Sequence, residues 1–198
     1  MKNKIYLPPL TYFAFRIILP SLLLLTLSDN VILSEAIQTT LEAKPFLTLE
    51  KPMLGFKISY PSDWNITDND FVISFRAPND TAVVTLSIVN SSSSKTNPIT
   101  LEQYSSNEIN TIKSVESKRI GSSFILLGSS QYLISGEPGH EIIFLNGTNT
   151  DTMHKYKTLL VWTVIDSKVY QIRYSAEVSE YSNYIQSVIY MIDSFELL

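Results

Sequence analysis

Between Lys157 and Ile192 the chain changes its hydrophobic period, and that change limits the folds open to it. Lys157 to Ile165 is apolar on both faces, as a strand covered on both sides must be. After a tight Asp166-Ser167-Lys168 connection, Val169 to Ala176 alternates, with Tyr170, Ile172, Tyr174 and Ala176 directed inward. Tyr181, Tyr184, Ile185, Val188, Ile189 and Ile192 then recur at helical spacing, an amphipathic helix for which Ser179 is the expected cap. Strands joined so tightly pair antiparallel, and the helix after them needs a sheet to cover its apolar stripe. The expected fold class is therefore α+β, with two main amphipathic helices laid on an antiparallel sheet.

The upstream sequence extends this pattern. A short strand is expected at Phe46 to Leu49, and Phe56, Ile58 and Tyr60 share one face of a strand that ends at Pro61. Phe71, Ile73 and Phe75 repeat the alternation, and Ala82 to Val89 has the pattern of an interior strand. A polar Ser-rich loop follows from Asn90 to Pro98. Thr100 and Gln103 have capping-box spacing, so a helix is expected to start there and run to about Val115, with Leu101, Tyr104, Ile112 and Val115 on its apolar stripe. Further strands are expected at Ser123 to Leu127, Tyr132 to Ser135 and His140 to Leu145, separated by Gly128 and Glu137-Pro138-Gly139, with a turn at Asn146-Gly147.

A chain of 198 residues that is 44% hydrophobic and 17% charged can bury one sizeable core. Its net charge of −4 and the absence of a basic stripe argue against nucleic acid, which demands clustered cations. With no cysteine there is no disulfide, thiolate metal site or thiol nucleophile.

Lys2, Lys4 and Arg16 precede a charge-free apolar run, Ile17 to Leu27, and Ser34-Glu35-Ala36 places small residues where a signal peptidase inspects them. A run this short falls below the roughly 20 residues of a spanning helix. Residues 1–36 are expected to be a signal peptide cleaved after Ala36, or an N-terminal anchor if uncleaved. Either alternative puts the remaining chain outside the cytoplasm, secreted or tethered. No second transmembrane segment is expected. Residues 37–52 read as a linker arm and first short strand, and residues 53–198 as the domain.

The segment Gly55-Phe56-Lys57-Ile58-Ser59-Tyr60-Pro61-Ser62-Asp63-Trp64 resembles the opening signature of the PsbP-like family, a strand closed by a Tyr-Pro-x-x-Trp turn. Phe75-Arg76-Ala77-Pro78, Leu101-Glu102-Gln103-Tyr104, Trp162, Tyr170-Gln171-Ile172-Arg173-Tyr174 and Met191-Ile192-Asp193-Ser194-Phe195 follow in the order such domains give them. The likeness runs from about Leu47 to Leu197. It implies an α-β-α sandwich with a central twisted antiparallel sheet. It also implies a non-catalytic binding or assembly module with a protein partner, which the leader would place at the outer face of a membrane. The family includes the extrinsic oxygen-evolving subunit of photosystem II, and the wider superfamily a Ran-binding protein and exported proteins of unknown role. The leader lacks the Arg- and Ser-rich character of a transit peptide, so the prokaryotic exported branch, archaeal members included, is the nearer likeness.

Residues able to carry chemistry are few. His140 and His154 flank the expected Asn146-Gly147 turn, and with Glu141 or Asp151 they would make a metal site only if their register brought them together. A metal-assisted or ligand-processing enzyme built on that pair is the alternative function, and a membrane-anchored structural surface protein the second. Asp63, Asp68 and Asp70 lie close in sequence but lack the glycine and closing glutamate of a calcium loop, so a polar turn is expected. No serine sits in a nucleophile elbow and no glycine-rich phosphate loop occurs. No catalytic, cofactor or metal residue is therefore assigned. Trp64 and Trp162 are expected to be core residues. Asn65, Asn79, Asn90 and Asn146 head glycosylation sequons, all expected in turns or loops.

Overall fold

The computed structural model describes residues 45–90, 98–118, 122–148 and 156–198. Strands β1 (Phe46–Lys51), β2 (Phe56–Pro61), β3 (Asn65–Asn69), β4 (Val72–Arg76) and β5 (Ala82–Asn90) precede helix α1 (Leu101–Lys118). They are followed by β6 (Ser122–Ile134), β7 (Glu137–Thr148), β8 (Tyr156–Ile165), β9 (Lys168–Glu177), helix α2 (Tyr181–Asp193) and β10 (Glu196–Leu197). Seven strands form one antiparallel sheet in the order β3-β4-β5-β9-β8-β7-β6, and β1-β2-β10 form a second. The fold is α+β, and the one sheet expected from the sequence is two.

Strand β8 shows how the large sheet carries a core on each face. Leu159 and Val161 enter one hydrophobic cluster while Leu160 and Trp162 enter another, because successive side chains leave opposite faces. The larger cluster gathers Tyr170, Ile172, Tyr174 and Ala176 of β9, the even residues of β5, Phe56 and Ile58 of the small sheet, and Val188, Met191 and Ile192 of α2. The smaller one joins Ile142 and Phe144 of β7 to Ile112 of α1, with Leu101, Tyr104 and Ile109 at its margin. Trp64 belongs to the larger core at 6% exposure, edge-on to Tyr184 at 5.7 Å. Trp162 is fully buried in the other, its Nε1 donating to Ser105 Oγ at 2.9 Å.

Helix α1 begins as its capping box dictates. Gln103 N donates to Thr100 Oγ1 at 3.2 Å and Thr100 N to Gln103 Oε1 at 3.1 Å, which satisfies two otherwise orphaned amides. Val115, expected on the buried stripe, is 53% exposed; the stripe runs through Leu101, Ser105, Ile109 and Ile112, and Val115 projects beside it. Ser179 does not cap α2. Glu180 holds that position with φ −98 and ψ −16, an already helical conformation in which no side chain caps the helix.

Four expected punctuation marks are strand. Glu137-Pro138-Gly139, expected to separate two strands, opens β7 and pairs with Ile134, Leu133 and Tyr132, while the turn falls on Ser135-Gly136 with φ 54 and 79. Gly128 marks a register shift within the continuous strand β6, where a bulge absorbs the irregularity. Asn146-Gly147 does not turn: Asn146 pairs with Phe124 on one side and Tyr156 on the other, and Gly147 pairs with Ser123, so neighbouring strands hold the backbone extended. Asn65 to Asn69, read as turn and sequon, is β3, held by pairing with β4. Of the four sequon asparagines, Asn79 lies in a turn, Asn65 opens β3, Asn90 ends β5, and Asn146 is half-buried within β7.

Candidate functional site

Helix α2 offers more apolar surface than the sheet covers. Val188 and Met191 are fully buried, whereas Ile185 is half-buried and Ile189 is 37% exposed, although all four belong to the apolar side of the helix. Ile185, Ile189 and Ile192 form one wall of a groove of about 610 Å³ whose floor is Ile143, Leu159 and Val161 of β7 and β8. Tyr132 of β6 stands on the far side, its hydroxyl donating to Asp193 Oδ1 at 3.3 Å. The groove exists because α2 packs on β2, β5 and β9, leaving Glu141 and Ile143 of the β6–β7 hairpin only partly covered on that face.

Its margins are nearly free of charge. Strand β6 has no charged residue in 13, and α2 has one in 13, Asp193. Two charged side chains line the interior, each engaged: Glu141 Oε1 accepts from Ser130 Oγ at 2.7 Å, and Lys157 Nζ lies 4.3 Å from the centroid of the Tyr181 ring. Burial pushes the Tyr181 hydroxyl up to about 12, with the Glu141 carboxylate adding to the effect. Burial likewise raises Tyr132, reinforced by Asp193. Both phenols are therefore neutral donors at physiological pH. Beyond the groove, Ile125 and Leu127 of β6 are about half exposed, at 49% and 51%. Apolar surface with little charge around it is what the centre of a protein interface requires.

A second cavity, of about 600 Å³, lies across the same hairpin, between β6–β7 and the first turns of α1. Leu101, Ile109, Leu133, Pro138 and His140 line it together with Glu102. His140 stacks on Trp162 at 5.2 Å between centroids, and its Nε2 shares a 2.8 Å hydrogen bond with Ser129 Oγ. Partial burial lowers the His140 pKa, against a smaller opposing pull from Glu141, so the imidazole is neutral near pH 7. The ring is held as a structural cross-strand contact.

The structure describes only part of the residue groups singled out in the sequence. The β7–β8 register sets Trp162 opposite His140; His154 and Asp151 lie outside the described residues. Asp68 is ion-paired with Lys51, and Asp63 stands at the other end of β3. Among the described residues no cluster of three or more His, Asp or Glu side chains is placed to hold a metal ion. Among them, too, no helix is long and apolar enough to cross a membrane. The groove is not legible in helical periodicity, which marks which residues are apolar without showing how much of the stripe a sheet will reach. The near absence of charge along α2 and β6 was the signal that pointed to it.

Solved structures with this arrangement include cyanobacterial PsbP (CyanoP) from Synechocystis sp. PCC 6803, with a TM-score of 0.59 and 12% identity over 80% of this chain and 96% of that one. The Saccharomyces cerevisiae Ran-binding protein Mog1p is also similar, with a TM-score of 0.55 and 7% identity over 78% of this chain and 96% of that one. The fold is that of the Mog1/PsbP-like proteins. No family model and no curated protein matches the sequence at a significant level.

Proposed function

We propose that this chain uses its Mog1/PsbP-like fold as an exported, non-catalytic binding or assembly module, and that a protein partner docks an apolar segment in the groove between α2 and the β6–β7 hairpin. The observation that carries the reading is Ile189: it belongs to the strongest apolar stripe in the sequence, yet it lines an open groove with 37% of its surface exposed. Burying an apolar side chain contributes about 25 cal/mol per Å², so a stripe left uncovered is surface that a partner gains by covering. One fold relative supports the class of activity, since it is by name a Ran-binding protein; fold by itself transfers no partner. The reading takes α1, the large sheet, and α2 with the small sheet as the layers of an α-β-α sandwich.

Export rests on the leader, with Lys2, Lys4 and Arg16 before a short apolar run and Ser34-Glu35-Ala36 after it. The module then works at the outer face of a membrane, secreted or tethered by an uncleaved leader. N-terminal sequencing from the native host is expected to begin at Ile37, and an intact Met1 terminus would make the leader an anchor. Proximity labelling outside the cytoplasm tests the binding itself. A neighbour labelled by the wild type and by an Asn110→Asp control, but lost in Ile185→Asp/Ile189→Asp, is the expected result. Retention of every neighbour by the double variant would remove the groove from the account.

A further inference from the structure

One end of the domain is built from turns that present large apolar side chains to solvent. The β1–β2 turn carries Met53, 98% exposed, the β3–β4 turn carries Phe71, 58% exposed, and Val72, which opens β4 beside it, is 41% exposed. Several contacts bring these turns to the same end. Lys51, at the base of the first turn, is ion-paired with Asp68 at the base of the second. Ile88 N donates to Phe71 O at 3.0 Å, Ile88 pairs with Tyr170, and the Tyr170 hydroxyl donates to Leu54 O at 3.3 Å. Val89, 45% exposed, adjoins them on β5.

The turns are stiff although their side chains are free. Gly55 adopts φ +79 and donates to Lys51 O at 2.9 Å, while its own carbonyl accepts from Leu198 N at 2.9 Å. Asp70, preceding Phe71, holds φ 47. Little backbone entropy remains to be lost when such a turn engages a surface. Met53 and Phe71 also sit on separate turns and not along one wall, and they line none of the cavities described above. Isolated apolar tips suit a soft apolar phase better than a packed protein face, where each would need its own fitted pocket.

The charges nearby say which surface. Among the described residues Lys51 and Lys168 are outnumbered by Asp68, Asp70 and Asp166, which gives these turns no net attraction for an anionic membrane. We infer that Met53 and Phe71 insert into the interface of a neutral, zwitterionic lipid bilayer and seat the domain on it by this end. Affinity then comes from apolar burial at the headgroup boundary and is nearly independent of salt. The site is independent of the groove on α2.

The unit Glu42–Leu198 contains every residue of both cores and is the species to test. Flotation with phosphatidylcholine vesicles is expected to carry it upward. Met53→Asp/Phe71→Asp should reduce the partition coefficient about tenfold or more, as the loss of about 1.4 kcal/mol implies. Both sites are exposed, so the thermal midpoint should not move. Ile185→Asp/Ile189→Asp should float as the wild type does, which keeps this inference separate from the groove. A Met53→Trp variant should shift its emission to the blue on adding vesicles, over a background from Trp64 and Trp162 that vesicles leave unchanged because both are buried, at 6% and 0% exposed. Failure of the wild-type unit to float with neutral vesicles, equal flotation of the Met53→Asp/Phe71→Asp variant, or binding confined to anionic vesicles and abolished by salt would each overturn the proposal.

Discussion

Two residues of α2 separated by one position should respond to truncation in opposite ways. Met191 is fully buried among the side chains of the larger core, whereas Ile189 lines the groove at 37% exposure. Met191→Ala removes a buried thioether chain and leaves a cavity, a change that costs about 2–5 kcal/mol. Against a total stability of about 5–15 kcal/mol this is a large fraction, so the denaturation midpoint should fall sharply. Ile189→Ala loses only part of a buried surface and gains roughly half a kcal/mol of helix propensity, so its net effect should stay within about 1 kcal/mol. Urea titration of both variants, with slopes compared as well as midpoints, separates the cases. If Ile189→Ala costs as much as Met191→Ala, the stripe is sealed against the sheet and the groove is not an open surface.

Other consequences follow from the packing. Trp64→Ala should cost about 3–5 kcal/mol by chemical denaturation, and an unmoved midpoint would make Trp64 a surface residue. A Cβ at Gly139 would lie 2.6 Å from the backbone oxygen of Trp162, so Gly139→Ala should destabilise by about 1–3 kcal/mol; an unchanged melting temperature would contradict that approach. Burial raises Tyr104, Tyr132, Tyr170, Tyr174 and Tyr181 above the ordinary phenol value, Tyr181 to about 12. A folded pKa above the unfolded one gives stability that is complete below about pH 10 and lost as pH rises through the folded values. Tyr181 alone contributes on the order of 2 kcal/mol, and a urea midpoint that stays level from about pH 9 to 12 would refute it.

Much of this architecture was legible because local and tertiary preferences agree. The capping box at Thr100 and Gln103 forms as spaced, and the even residues of β5 and β9 face the core their alternation predicts. The misreadings occurred where composition and pairing conflict. Asn146-Gly147 and Gly128-Ser129-Ser130 have turn chemistry, but flanking strands hold them extended. Strand β3 is built of residues that favour turns and was invisible until β4 paired with it. Strands β1 and β2 pair with each other and with β10 and with no strand of the large sheet, a partition that alternation alone does not show, and β10, two residues long, carries no pattern of its own. The groove lay beyond periodicity for a related reason. Ile185 and Ile189 repeat as faithfully as Val188 and Ile192, and only the placement of α2 over β2, β5 and β9 decides which are covered.

Photo-crosslinking from single positions in the native host tests the central claim most directly. A photoreactive residue in place of Ile189, in the groove, is compared with one in place of Asn110, exposed on α1. The account predicts a discrete crosslink to one protein from position 189, absent from position 110 and competed away by excess unmodified domain but not by the Ile185→Asp variant. No crosslink from position 189, or the same products from both positions, would contradict it.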